Sequence, residues 1–166
     1  IAMKEWEKII KKLDLEEHPE GGYYKEIYRS REVVSLSETY MGKRAFSTSI
    51  YFMLRAGNFS AFHRIKQDEI WHFYLGAAIE LFVLDKEGQL EKVIIGSDIF
   101  SGQHLQYVVK GGNWFASRVL NNQDYSLAGC TVAPGFDFKD FELAKRDMLL
   151  EEFPQHKELI RQLTRI

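Results

Sequence analysis

One stretch, residues 59–76, holds the residue types that can do acid–base chemistry. It reads FSAFHRIKQDEIWHFYLG and contains two of the five histidines. Strand-like residues lie on both sides of the polar turn Lys66-Gln67-Asp68, which predicts two short strands. Such a turn would bring His63 and Glu69 to the same rim of a sheet. An imidazole beside a carboxylate is a usable acid–base pair or half of a metal site, although a hydrogen-bonded surface pair gives the same pattern.

The length, composition and net charge of the chain limit the class of protein to which it can belong. The 166 residues suffice for one domain with a real core, and we assign residues 3–166 to a single domain after a tag remnant, Ile1-Ala2. With 45% apolar residues and a net charge of -2, the chain has no basic excess to attract nucleic acid. No apolar run approaches the roughly 20 residues that span a bilayer. The single cysteine, Cys130, is interpreted as a small buried hydrophobe. We expect a cytoplasmic protein without nucleic-acid or membrane partners.

Helical patterns stand at both ends of the chain. Met3–Leu13 is predicted as a helix whose apolar stripe docks on the domain, and the stripe consists of Trp6, Ile9, Ile10 and Leu13. After Pro134-Gly135 the pattern predicts two further helices, Phe136–Glu152 and Pro154–Ile166. The segment from Ser30 to Lys43 is polar and is predicted as a long loop.

The middle of the chain reads as short strands with strong turn chemistry between them. Outside residues 59–76 the predicted strands are Tyr23–Arg29, Ser47–Leu54, Ile79–Leu84, Leu90–Ile95, Leu105–Val109, Trp114–Leu120 and Ser126–Val132. Ile79–Leu84 and Leu90–Ile95 form a hairpin around Asp85–Gly88. This spacing predicts an all-β barrel or sandwich with flanking helices.

The run over residues 59–76 resembles the first signature of the cupins, small double-sheet jelly-roll barrels. His63, Glu69 and Gly76 fall on its first histidine, its acid and its closing glycine. Three other segments are similar to one branch, the small single-domain cupins of unknown function called cupin five. They are HPEGGYY at 18–24, the run 48–52, and TVAPGFDFKDFEL at 131–143. The chain is identified as a member of this branch, which implies the cupin double-stranded β-helix fold.

The departures from the cupin pattern bear on metal binding. Metal-binding cupins offer three histidines and one glutamate, but Ile65 stands at the second histidine position and Phe115 at the third. Only His63 and Glu69 remain, and catalytic zinc sites usually keep three protein ligands. His104 lies nearby in sequence as a substitute. We expect no metal cofactor and direct binding of an organic ligand, with a divalent metal on His63 and Glu69 as the alternative.

Alternating strand faces select the residues expected to line the lumen of the barrel. Rings mixed with a few polar groups suit a small-molecule pocket, while core packing is the alternative for each ring. The expected substrate-binding residues are Thr48, Phe52, Trp71, Gln106 and Trp114. His18 is expected at the barrel mouth, and Arg44 and Arg64 are candidates for holding an anionic substrate.

The resemblance also implies chemistry. Some related cupins epimerise sugar nucleotides by abstracting a proton next to a carbonyl, with a histidine base and no metal. We therefore predict a metal-independent isomerase or epimerase acting on a sugar or related metabolite, with His63 as base and Glu69 as its orienting carboxylate. Tyr28, Tyr51 or Tyr107 would supply the acid. The alternatives are a non-catalytic metabolite-binding cupin and a metal-dependent oxygenase or isomerase. The resemblance further implies a homodimer.

Overall fold

A computed structural model of the chain describes residues 1–36 and 38–166, and within them strands dominate. The strands are β1 (Glu16–Glu17), β2 (Tyr23–Arg29), β3 (Val33–Ser35), β4 (Lys43–Ala45), β5 (Thr48–Arg55), β6 (Phe59–Arg64), β7 (Asp68–Gly76), β8 (Ile79–Leu84), β9 (Leu90–Ile95), β10 (Gln106–Val109), β11 (Trp114–Val119), β12 (Tyr125–Ala133) and β13 (Glu142–Leu143). The helices are α1 (Glu5–Leu13), α2 (Arg146–Glu152) and α3 (Lys157–Gln162). Short 3-10 helices span Ile99–Ser101, Leu120–Asn122, Phe138–Asp140 and Pro154–His156.

Two antiparallel sheets form the body of the molecule. One has six strands in the order β1-β2-β5-β12-β7-β10, and the other has five in the order β13-β6-β11-β8-β9. Their inner faces share one apolar core, in which Phe52 and Trp71 of the first sheet meet Leu81 and Phe115 of the second. This arrangement confirms the predicted double-sheet jelly roll with flanking helices.

The two strands of residues 59–76 lie in different sheets, so the predicted shared sheet rim is wrong. β6 pairs with β11, where His63 lies opposite Phe115, whereas β7 pairs with β12, where Glu69 lies opposite Val132. The polar turn between them is therefore a corner from one sheet to the other. His63 and Glu69 still line one cavity, which they reach from opposite sheets.

The end helices cover the outer faces of the sheets. The stripe of α1 packs against Met53 and Leu127 on the six-stranded sheet, which confirms its predicted docking role. On the five-stranded sheet, Leu149 of α2 and Ile160 of α3 pack with Phe62 in a second apolar cluster. No helix in the described part of the chain has the length and apolar character needed to cross a membrane.

The predicted helix Phe136–Glu152 is wrong over its first ten residues. The described chain instead forms the 3-10 helix Phe138–Asp140 and strand β13, and α2 begins only at Arg146. Tertiary contacts override helix propensity here, because Asp140 is drawn into a buried ion pair. The predicted loop Ser30–Lys43 likewise contains β3, which pairs with β4, while Ser37 of that loop lies outside the described residues.

Arg44 and Asp140 form that buried pair. Arg44 Nε donates to Asp140 Oδ2 at 2.8 Å and Nη2 donates to Oδ1 at 2.9 Å, while Gln67 Nε2 also donates to Oδ2 at 2.8 Å. Burial alone would raise the pKa of Asp140, but the hydrogen bonds from Arg44 and Gln67 lower it. Arg44 thus fastens β4 to the 3-10 helix and is not free for an anionic substrate. Arg64 is engaged as well, by Glu142 at 2.8 Å.

Asp140→Ala should lower the free energy of unfolding by about 3–5 kcal/mol, because it strands the Arg44 charge in the interior. Urea unfolding at pH 7 measures this loss. The matched control is Glu142→Gln, which breaks the exposed pair with Arg64 and should cost at most about 1 kcal/mol. Equal losses in the two variants would contradict a structural role for the buried pair.

Candidate functional site

A cavity of about 500 Å³ opens between the two sheets. This volume lies within the range of roughly 300–1,000 Å³ typical of small-molecule sites. We call its buried polar lining the floor, formed by Glu20, His63, Glu69 and Trp71. We call its more exposed lining the rim, which consists of Glu16, Lys25, Glu26, Arg29, Phe136, Asp137, Phe138 and Phe141.

The central contact of the floor joins His63 to Glu20. His63 Nε2 lies 2.5 Å from Glu20 Oε2, and the two side chains are 4% and 9% exposed. On the other side of the ring, Nδ1 lies 2.7 Å from the carbonyl oxygen of Ala61. A carbonyl only accepts, so Nδ1 carries a proton and donates it there. Both ring nitrogens of His63 are therefore engaged within the protein.

The electrostatics of this pair favour an imidazolium and a carboxylate. Burial alone would lower the pKa of His63, but the charge of Glu20 and its hydrogen bond outweigh burial and raise it. Burial would likewise raise the pKa of Glu20, and the charge of His63 lowers it instead. Two opposite buried charges in contact stabilise each other's ionised form.

Glu20 reaches His63 because its loop is fastened to β6. Its carbonyl oxygen accepts from the N–H of Ala61 at 2.8 Å and from Arg165 Nη1 at 2.7 Å. Arg165 Nη2 also donates to the carbonyl of Phe59 at 2.9 Å. Gly21 follows with φ of 110°, and a Cβ there would collide with the Phe59 carbonyl, so only glycine fits this approach.

His18 joins the same cavity, as expected of a residue at the barrel mouth. Its Nδ1 accepts the backbone N–H of Glu20 at 3.2 Å, which places the proton of the neutral ring on Nε2. Burial lowers the pKa of His18 and outweighs the opposing charge of Glu20. The Nε2–H is thus the group that His18 can offer a ligand.

Glu69 differs from Glu20 because, among the described residues, no basic group lies within 4.0 Å of its carboxylate. Burial and, after it, the charge of Glu20 raise the pKa of Glu69 to about 7, although His63 and contacts with Cys130 and the indole N–H of Trp71 act in the opposite direction. Glu69 is therefore partly protonated at neutral pH. The carboxylate that orients His63 is Glu20, and the role predicted for Glu69 is corrected accordingly.

Three of the predicted substrate-binding residues lie in the cavity lining: Thr48, Phe52 and Trp71. Thr48 Oγ1 accepts the backbone N–H of Phe136 at 2.9 Å, which ties the rim to β5. The rings of Phe52 and Trp71 pack edge to face with centroids 5.7 Å apart. The indole Nε1 of Trp71 is buried and makes no well-aligned hydrogen bond among the described residues, although it lies close enough to the Glu69 carboxylate to lower the pKa of that carboxyl.

The two other predicted substrate-binding residues lie outside the lumen. Gln106 is exposed and sits opposite His72 in the β10–β7 register, which puts it on the outer face of the sheet. Trp114 is buried in the cluster under α2 and α3, with the Arg64 guanidinium 4.2 Å from its ring centroid. Both errors come from the choice of strand face, since their neighbours Tyr107 and Phe115 are the residues that contact the core between the sheets.

The predicted tyrosine acids are also misplaced. Tyr28 is 54% exposed, and Tyr51 packs in the cluster under α1. The hydroxyl of Tyr107 donates to Glu91 at 2.9 Å, and burial together with that contact raises its pKa to about 12. The tyrosine that lines the cavity in the described chain is Tyr24. Tyr24 belongs to the HPEGGYY segment, whose His18 and Glu20 line the same cavity.

The residues around His63 do not fit a metal ion. Ile65 lines the cavity, and the ring centroid of Phe115 lies 4.0 Å from that of His63, so apolar groups hold both substituted ligand positions. His104 is exposed beside Ile95, away from the cavity lining. Within residues 1–36 and 38–166, no three His, Cys, Asp or Glu side chains are grouped to hold a metal. His63 also has no nitrogen lone pair free for coordination while Glu20 and Ala61 are in place.

Comparison with known proteins agrees with this fold. The family model described as Cupin superfamily (DUF985) matches residues 7–144, and the chain belongs to that family. It is 30% identical over 151 residues to the uncharacterized protein YML079W of Saccharomyces cerevisiae, covering 84% of this chain and 75% of that protein.

Solved structures give the same result. The crystal structure of protein SO0799 from Shewanella oneidensis matches with a TM-score of 0.89 and 40% identity, over 98% of this chain and 99% of that one. A hypothetical protein from Leishmania major matches with a TM-score of 0.90 and 36% identity, over 96% and 98% of the two chains. Oxalate decarboxylase from Bacillus subtilis shares the fold, with a TM-score of 0.56 and 15% identity over 89% of this chain and 36% of that one.

Glu69 should make stability depend on pH. Its pKa is raised from an ordinary value of 4.5 to about 7, so the folded state holds a proton that the unfolded state releases. That contribution is fully present below pH 4.5 and is lost as the pH rises through 7. Relative to the wild type, Glu69→Gln should therefore gain up to about 3 kcal/mol of unfolding free energy between pH 4.5 and pH 8.

Urea unfolding of both proteins across this pH range measures the difference. Glu87→Gln, at an exposed turn, serves as the control and should follow the wild-type pH profile. A Glu69→Gln profile parallel to the wild type would show that Glu69 does not titrate abnormally.

Proposed function

We propose that the cavity binds a small carbonyl-bearing metabolite and that its floor transfers a proton without a metal, as a sugar isomerase or epimerase does. The observation that carries this proposal is the position of Glu69, a carboxyl buried in the cavity floor with no basic group within 4.0 Å among the described residues, and burial raises its pKa to about 7. A general acid or base works best when its pKa lies near the working pH, and enzymes obtain such carboxyls by burial.

The division of roles follows from the contacts of the floor. His63 is not the base, because Ala61 and Glu20 engage both of its nitrogens. The Glu69 carboxylate instead takes the proton from the carbon next to the ligand carbonyl. The electron pair of that C–H bond then forms the enolate, whose negative charge falls on the carbonyl oxygen.

Three groups favour the developing enolate. The indole N–H of Trp71 makes no well-aligned hydrogen bond among the described residues, and Nε2–H is the ring donor of His18 that its contact with the Glu20 N–H leaves available. The positive charge of His63 lies in the same floor. Donors and charges fixed in advance of the reaction stabilise an oxyanion strongly in a buried site. In epimerisation, Glu69 or the hydroxyl of Tyr24 gives a proton to the other face of the same carbon, and where Tyr24 is the donor the proton held by Glu69 returns to the tyrosinate through solvent. In isomerisation, the proton of the hydroxyl on the attacked carbon passes to the enolate oxygen, and Glu69 returns its proton to the former carbonyl carbon.

The second candidate is a metabolite-binding cupin without catalysis. The Trp71 N–H, which makes no well-aligned hydrogen bond among the described residues, and the ring-lined cavity support ligand binding equally whether or not chemistry follows. The residues beside His63 do not fit a metal, which argues against a metal-dependent oxygenase or isomerase. The homodimer stays a prediction, which sedimentation equilibrium tests.

Solvent exchange tests the catalytic proposal without knowledge of the product. Aldoses, ketoses and amino sugars are incubated with the protein in D₂O, and NMR follows loss of the proton next to the carbonyl. Glu69→Gln should slow this exchange by about 10²–10⁴-fold, because it removes the base and keeps the shape of the side chain.

Tyr107→Phe is the matched control, since Tyr107 is bound to Glu91 away from the cavity lining. Exchange that persists in Glu69→Gln would remove Glu69 from the mechanism. Saturable binding of a carbonyl compound with no exchange would leave the non-catalytic cupin.

A further inference from the structure

The basic side chains of the cavity lining are already engaged by the protein. They are Lys25 and Arg29, which belong to the rim, and His63, which belongs to the floor and is paired with Glu20. Lys25 Nζ lies 2.9 Å from Asp14 Oδ2. Arg29 Nη2 lies 2.6 Å from Glu26 Oε1 and donates to the carbonyl of Phe136 at 3.0 Å. An anionic ligand would have to compete with these carboxylates for each cation.

Carboxylates are in excess around the same cavity. Five line it, against Lys25, Arg29 and the imidazolium of His63. Among the described residues Glu16, Glu69 and Asp137 have no basic group within 4.0 Å. Asp137 Oδ1 accepts only the backbone N–H of Lys139, at 2.9 Å. The lining is therefore electrostatically complementary to a positive charge.

Aromatic rings reinforce this preference at the rim. Phe136 and Phe138 pack edge to face with centroids 4.9 Å apart, and Phe141 lies 5.8 Å from Phe138. The ring of His18 lies 6.1 Å from Phe141. The faces of aromatic rings attract cations, and cages of such rings recognise quaternary ammonium groups.

The floor favours a hydrogen-bond acceptor on the ligand, in contrast to the rim, which favours a positive charge. Trp71 is 2% exposed, it lines the cavity, and in the described part of the chain its N–H makes no well-aligned hydrogen bond, with Glu69 as its nearby acceptor. A buried donor without a good hydrogen bond is unfavourable, so a ligand that brings a well-placed oxygen to this position gains one. The ligand thus needs an acceptor at one end and a positive group at the other.

We infer that the cavity takes a small organic cation bearing a hydroxyl or carbonyl oxygen, such as an amine or quaternary ammonium compound, in preference to phosphate esters and nucleotide sugars. The inference rests on the proposed use of this cavity as the ligand site and narrows its substrate class. It replaces the sugar nucleotide that the resemblance to other cupins implies.

Three probes of similar size separate charge from shape. Choline carries a cation and a hydroxyl, 3,3-dimethylbutan-1-ol is its neutral isostere, and 2-hydroxyethylphosphonate carries a hydroxyl and an anion. The indole ¹⁵N–¹H resonance of Trp71, assigned with Trp71→Phe, reports arrival at the floor. Choline should shift it saturably and bind about tenfold tighter than the isostere, while the phosphonate should leave it unmoved.

The inference is overturned if the phosphonate binds as tightly as choline, or if choline and its isostere bind equally. It is also overturned if choline gives no saturable shift up to about 20 mM, which is about 20 times the dissociation constant of a weak, millimolar ligand. Asp137→Asn keeps an oxygen to cap Lys139 and should weaken choline, but not the isostere, by about threefold to tenfold. Phe138→Ala should act in the same direction.

The control for net charge is Glu158→Gln, which removes a carboxylate from α3 outside the cavity lining and should leave choline binding unchanged. If Glu158→Gln and Asp137→Asn lose the same affinity for choline, the effect comes from the overall charge of the protein, and a cation site at the rim is contradicted. Choline has no carbonyl and cannot undergo the proposed reaction. If choline binds but no carbonyl compound exchanges its proton with solvent, the catalytic proposal is therefore excluded while the inference of a cationic ligand stands.

Discussion

The contact between Glu20 and His63 is the interaction on which the rest of the site depends. Two charges this deeply buried are tolerated only when they are paired, and the loop that delivers Glu20 is held by Arg165 and by the close approach of Gly21 to β6. The pair occupies the histidine nitrogen that a metal or a substrate proton would need. It also sets a negative charge beside Glu69, which together with burial makes Glu69 the group that titrates near neutrality.

Much of the fold was predictable because each strand and turn is marked by a pattern within its own few residues. Alternation and turn chemistry located the hairpin β8–β9 and strands β2 and β5 closely. The failure at Phe136–Glu152 has a non-local cause, since Asp140 is held by Arg44, which lies 96 residues away in the chain. The spacing of apolar and polar residues within that segment carries no information about a partner so distant in the sequence.

The site was predictable in its residue types but only partly in its geometry. Alternation correctly placed Thr48, Phe52 and Trp71 in the cavity lining, yet it does not reveal which face of β10 or β11 turns inward, and Gln106 and Trp114 were misplaced. The partner of His63 was missed because Glu20 lies in the loop before β2, 43 positions earlier in the chain. The HPEGGYY segment held the available signal, since a glycine pair after a histidine and a glutamate marks a loop that needs unusual backbone angles.

A ¹³C NMR titration of the glutamate side-chain carboxyls tests the central claim most directly, since it reads the protonation of Glu69 itself. The wild type should show one carboxyl titrating near pH 7 that is absent from Glu69→Gln. The same resonance should move to a lower pKa in Glu20→Gln, because that change removes the neighbouring negative charge. A Glu69 carboxyl that titrates near its ordinary value of 4.5 would contradict the account of a floor built for proton transfer.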